Sequence, residues 1–107
     1  MANKHQLQVA DNSVHQIRGA LECYRSEHPS AQVDVYRSNP VCIRIRVVDP
    51  DFHDLDRVER EERVWNVLEG LPGDVRRDIS VLLAITPGEM ETSGMNLEFE
   101  YQMPRVP

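Results

Sequence analysis

Lysine is nearly absent. Lys4 stands alone beside eleven arginines, and acidic residues outnumber both together, leaving a formal net charge of −6 over 107 residues. Capture of a phosphate backbone depends on clustered cations that displace counterions, so this balance argues against non-specific nucleic-acid binding and leaves room only for a local basic patch. Cysteine is scarce too: Cys23 and Cys42 are too few for a disulfide framework and lack C-x-x-C spacing, so both read as reduced thiols. No apolar run nears the roughly 18 residues needed to cross a bilayer. The start, MANKHQLQVA, lacks the apolar stretch of a secretory signal, which sets the expected location in the cytoplasm, away from membranes. Absent as well are G-x-S-x-G, Walker and dinucleotide fingerprints. His5, His15, His28 and His53 show no H-x-x-x-H spacing, and His53 beside Asp51 and Asp54 is a lone imidazole among acids rather than a catalytic constellation. The expectation is a protein without enzymatic activity, with no catalytic, cofactor-binding or metal-binding residue assigned and no cofactor required.

What is present is the composition of one globular domain, 40% hydrophobic and 28% charged, far from the signature of a disordered chain. Ser13 and Gln16 have capping-box spacing, and Val14, Ile17, Leu21 and Tyr24 recur at three- and four-residue intervals, so a helix is expected from Ser13 until Pro29 ends it. Two alternating runs follow, AQVDVYR and VCIRIRVV, as a hairpin around Ser38-Asn39-Pro40. Placing apolar side chains on one face pairs Val35 with Ile43 and Val33 with Ile45, and sets Asp34 opposite Arg44. Arg44 and Arg46 then line either a solvated, salt-bridged outer face or a ligand-facing basic stripe; Cys42 shares that face. From Asp51 to Gly70 the period changes to 3.6, with Leu55, Val58, Trp65 and Leu68 as the stripe, Asp54 or Asp56 as the cap and Gly70 as a left-handed closing residue. Asp56 with Arg60 and Glu59 with Arg63 have the spacing of favourable pairs. Asp74 caps a short helix through Arg77, ISVLLAIT reads as an apolar strand ended by Thr86-Pro87-Gly88, and MNLEFEY alternates as a further strand over 95–101.

Gly70-Leu71-Pro72-Gly73 falls between two helices, where KH domains carry a G-x-x-G loop that clamps a nucleic-acid backbone. Leu71 and Pro72 supply no cation, proline removes a backbone donor, and Asp74 repels phosphate, so a helix end and a turn describe the glycines better.

The pattern resembles the BolA family, whose fold has the same α-β-β-α-α-β order and is related to KH type II domains. Phe52, Leu55, Val58, Arg60, Val64, Trp65 and Leu68 match the family's long helix, and Thr86-Pro87-Gly88-Glu89 is similar to its closing motif. The resemblance implies a single α+β domain with its core over residues 13–90 and helices on one face of a small mixed sheet; residues 91–107 lie beyond the family pattern as a C-terminal extension, whose strand over 95–101 would extend the sheet or join two copies. It also implies a protein partner, in the family a monothiol glutaredoxin sharing an iron–sulfur cluster. The family's metal-binding histidine falls on Asp78 here, Glu61 and Met90 replace a histidine and a tryptophan, and the short hairpin loop lacks the second ligand. A role for Asp78 or Cys42 as a metal ligand is left open, and cluster handling is not carried over. The expected function is a regulatory module acting through a protein partner. Its contact surface is placed on Gly73, Arg76, Arg77 and Asp78, with Arg60 nearby. The alternative is a nucleic-acid-binding module using Arg44, Arg46, Arg76 and Arg77.

Overall fold

The computed structural model describes residues 11–92 and Phe99. Within them the order is α1 (Asn12–Glu27), β1 (Gln32–Asn39), β2 (Cys42–Val48), α2 (Arg57–Leu68), α3 (Gly73–Arg77) and β3 (Ile79–Ile85), with 3₁₀ turns at Pro50–Asp54 and Pro87–Glu91. The chain is an α+β domain in the expected α-β-β-α-α-β order. β2 is the central strand, antiparallel to β1 and parallel to β3, so the sheet is mixed.

Helix α1 buries the four residues of its stripe, Val14, Ile17, Leu21 and Tyr24. Its start differs from the expected capping box. Asp11 occupies the cap position without a side-chain hydrogen bond, and Ser13 lies within the helix. In α2 the cap is reciprocal: Asp56 Oδ1 accepts from the Glu59 N–H at 2.9 Å and Glu59 Oε1 accepts from the Asp56 N–H at 3.0 Å. Such a cap contributes about 1 kcal/mol. It also occupies Glu59 and Asp56, so the expected pairing of each with an arginine gives way to Arg57–Glu61 at 3.1 Å and to Arg60–Glu89 at 2.7 Å. The buried α2 stripe is Val64 and Leu68, with Trp65 only partly buried against it and Val58 61% exposed.

The hairpin keeps the expected alternation but slips by two residues: Val35 lies opposite Ile45, Val33 opposite Val47, and Asp34 opposite Arg46. An even slip leaves every side chain on its own face, which is why periodicity fixes the face but not the register. The turn is Pro40-Val41, held by the Val41 N–H donating to Asn39 Oδ1 at 2.9 Å, and the ladder shifts between Arg37 and Asn39. Ile43, Ile45 and Val47 are fully buried under the helices, with Leu21, Val64, Leu68 and Val75 packed over them. At about 25 cal/mol per Å² of apolar surface removed from water, each such side chain contributes roughly 1.5–3 kcal/mol.

No glycine among the described residues has a positive φ, so Gly70 is not the left-handed closing residue expected. Glu69 ends α2 in a right-handed conformation, and Pro72, not Asp74, precedes α3. Of the strand expected over 95–101 only Phe99 is described, where the backbone is helical rather than extended. The rest of that strand, and the dimer it would form, lie outside the described residues.

Candidate functional site

The seven sequence-selected residues separate into captive and exposed groups. Arg46 is 2% exposed: its guanidinium meets Asp34 Oδ2 at 2.6 and 2.8 Å and lies 5.5 Å from the centre of the Phe99 ring. Phe99 packs edge-on against Tyr36, and Val48 and Ile85 are also buried. The face read as solvated is therefore largely covered around Arg46. Arg44 is partly buried, and its Nε–H donates to Ser38 Oγ at 3.3 Å. Arg60 donates to the Leu55 carbonyl at 2.9 Å, binds Glu89, and lies over the Phe52 ring at 5.8 Å. Two positions that carry the family resemblance, Arg60 and Glu89, thus form one internal tie. The Glu89 carboxyl is held below its usual range, first by the Arg60 hydrogen bond and then by the Thr86 N–H.

Only Arg76 and Arg77 among the selected arginines are exposed, both on α3 beside exposed Gly73. Asp78 caps the end of α3. Its carbonyl accepts from the Ile43 N–H at 2.7 Å, and its carboxylate lies 3.8 Å from Arg37 Nη1. These bonds make Asp78 a joint between α3 and the hairpin.

Beside that joint is a surface the sequence pattern did not single out. Val58 and Trp65 lie together on the outer side of α2 with Glu61, Glu62 and Glu69 around them. A shallow groove continues from Trp65 and Arg57 to Ile79, Val81 and Leu82. Strand β3 forms the edge of the sheet, and its far side pairs with no other strand among the described residues. Edge strands are normally blunted by charge or proline, whereas β3 is ISVLLAI. Treating Val58 and Trp65 as core residues hid this surface; the acidic residues between them in sequence were its only local signal.

A second constellation joins the end of α1 to the end of β2. The Tyr24 hydroxyl donates to Asp49 Oδ2, and Asp49 is fully buried. Asp49 Oδ1 accepts from the Asp51 N–H at 2.9 Å. His28 Nδ1 lies 2.9 Å from Asp51 Oδ2 and 3.5 Å from Asp49 Oδ2. The Tyr24 ring stacks on His28 at 4.3 Å between centroids. Burial raises the Tyr24 phenol well above its ordinary value; the Asp49 bond and charge add to that, and Arg63 opposes it. His53, which stands beside Asp51 and Asp54 in sequence, makes among the described residues an exposed contact with Asp54 at 3.0 Å.

No known family model matches the chain, and no curated protein matches it as a relative. No helix among the described residues is long and apolar enough to cross a membrane.

Proposed function

We propose that this chain is a BolA-like, non-enzymatic binding module that engages a protein partner through the outer side of α2 and the free edge of β3. The observation that supports this reading is an apolar pair, Val58 and Trp65, beside a strand edge that pairs with no other strand among the described residues. A partner segment adding to such an edge gains main-chain hydrogen bonds, while neighbouring apolar side chains supply selectivity. Glu61, Glu62 and Glu69 around the pair favour a segment with an apolar anchor flanked by lysine or arginine. The surface adjoins the Gly73–Asp78 junction, where the family resemblance would put a partner such as a glutaredoxin. Asp78, engaged with Arg37, gives no support to a shared iron–sulfur cluster.

The second reading, a nucleic-acid-binding module in the cytoplasm, is carried by exposed Arg76 and Arg77. Arg44 and Arg46 add little to it, being tied to Ser38 and Asp34. Photo-crosslinking in the native host, with the reactive side chain at position 65 or at position 77, separates the two. Protein adducts at 65 and few at 77 are expected. Nucleic-acid adducts at 77 would select the second reading, and protein adducts at 77 alone would move the contact face.

A further inference from the structure

Independently of that contact face, we propose that His28, Asp49 and Asp51 form a binding site for a divalent first-row cation, with Zn²⁺ the ion best matched to its donors. Each residue offers one ligand atom, and the three atoms lie within 4.8 Å of one another. Nδ1 of His28 is 2.9 Å from one carboxylate oxygen and 3.5 Å from the other. Ligand atoms bonded to zinc at about 2.1 Å in a tetrahedron lie roughly 3.4 Å apart, so only small adjustments would gather all three around one ion. One imidazole and two carboxylates suit zinc better than the hard, all-oxygen cages that calcium and magnesium prefer. Three protein ligands leave a fourth position, and Asp51, with its side chain 60% exposed, opens that position to solvent.

Charge gives the second reason. The Asp49 side chain is 1% exposed, and Asp51 brings another carboxylate within ligand distance. Burying a carboxylate costs several kcal/mol unless a positive charge or full hydrogen bonding offsets it. Asp49 receives the Tyr24 hydroxyl and the Asp51 N–H, and neither carboxylate pairs with an arginine or lysine among the described residues. The Arg63 guanidinium bonds to Tyr24, next to Asp49, and a bound metal ion would bring further positive charge directly to the two acids. Zinc would take the Nδ1 lone pair, displace a proton, and neutralise both acids. Tyr24 acts as the supporting residue: its hydroxyl holds Asp49 while its ring holds the plane of His28. The donors also ride on fixed backbone, because the His28 N–H donates to the Tyr24 carbonyl and the Asp49 N–H to the Ile85 carbonyl, both at 3.0 Å.

The test is calorimetric titration of the chelator-treated full chain with zinc chloride at neutral pH, with the histidine ring nitrogens followed by NMR. One equivalent should bind, with the shift confined to His28 Nδ1. Asp51→Asn and His28→Gln should each weaken binding by at least about tenfold, the lower bound set by loss of a mere supporting residue. His53→Gln should leave it unchanged. Asp51→Asn keeps its backbone N–H and changes an exposed side chain, so it separates lost ligation from lost folding. Absence of zinc binding, or equal binding by wild type, Asp51→Asn and His28→Gln, would overturn the site and leave a hydrogen-bonded His28–Asp51 pair.

Discussion

Arg60 and Arg76 each donate their Nε–H to a backbone carbonyl five residues earlier, Leu55 at 2.9 Å and Leu71 at 3.2 Å. From this shared tether their surroundings diverge. The Arg60 side chain is 12% exposed, with Glu89 brought to its guanidinium from 29 residues away and the Phe52 ring beneath it. Arg76 stays at the surface, its Nη2 near Gly73. The same residue with the same local bond therefore serves as an internal strut in one place and remains available in the other. What decides is the long-range partner, which explains why Arg44, Arg46, Arg76 and Arg77, grouped in sequence reading as one basic patch, are not all exposed.

Arg46 takes the captive case to its limit, and Arg46→Ala should have the largest effect. Removing one member of a buried ion pair costs about 3–5 kcal/mol, and partial exposure of Asp34 places the loss near the lower end. Denaturant unfolding measures it; a loss below about 1 kcal/mol would show the pair to be solvated after all. Arg60→Ala should follow, at roughly 2 kcal/mol, through the lost Glu89 and Leu55 bonds and the packing on Phe52.

The pH dependence sharpens the same contrast. Because the folded Glu89 carboxyl is depressed below its ordinary value of 4.5, its contribution is complete above that value and fades as pH falls through the lower folded value. With Glu89 partly exposed, the difference should be a few tenths of a kcal/mol, about the size of a surface pair. Arg60→Gln should flatten that part of the acid limb in a pH series of melts, and an unchanged slope would remove Arg60 as the cause. Smallest of all, Arg76→Ala and Arg77→Ala should each change stability by less than about 0.5 kcal/mol. A larger loss at either position would erase the distinction between strut and surface.

The sequence was most legible where neighbours in the chain decide the outcome. Val14, Ile17, Leu21 and Tyr24 mark the buried side of α1 because helical periodicity is local, and Asp56 is one of two caps considered for α2. Alternation placed Val33, Val35, Ile43 and Ile45 on one face yet could not distinguish registers two residues apart. The cover over Arg46 was illegible because Phe99 lies far along the chain, and Val58 was misplaced because a stripe one residue too wide still satisfies the helical period. For the candidate sites the same reason applies. His28 and Asp49 are 21 residues apart in sequence, without ligand-like spacing, and meet only because the end of α1 packs beside the end of β2.

Trp65 has one more consequence. It is the chain's single tryptophan, and it is partly exposed on the side of α2 proposed for partner contact. Its emission is therefore a built-in optical readout with opposite signs for two events. Covering the indole should move the spectrum to shorter wavelength, while unfolding, which wets it fully, should move it to longer wavelength. Association and denaturation can thus be told apart in one cuvette, without attaching a label.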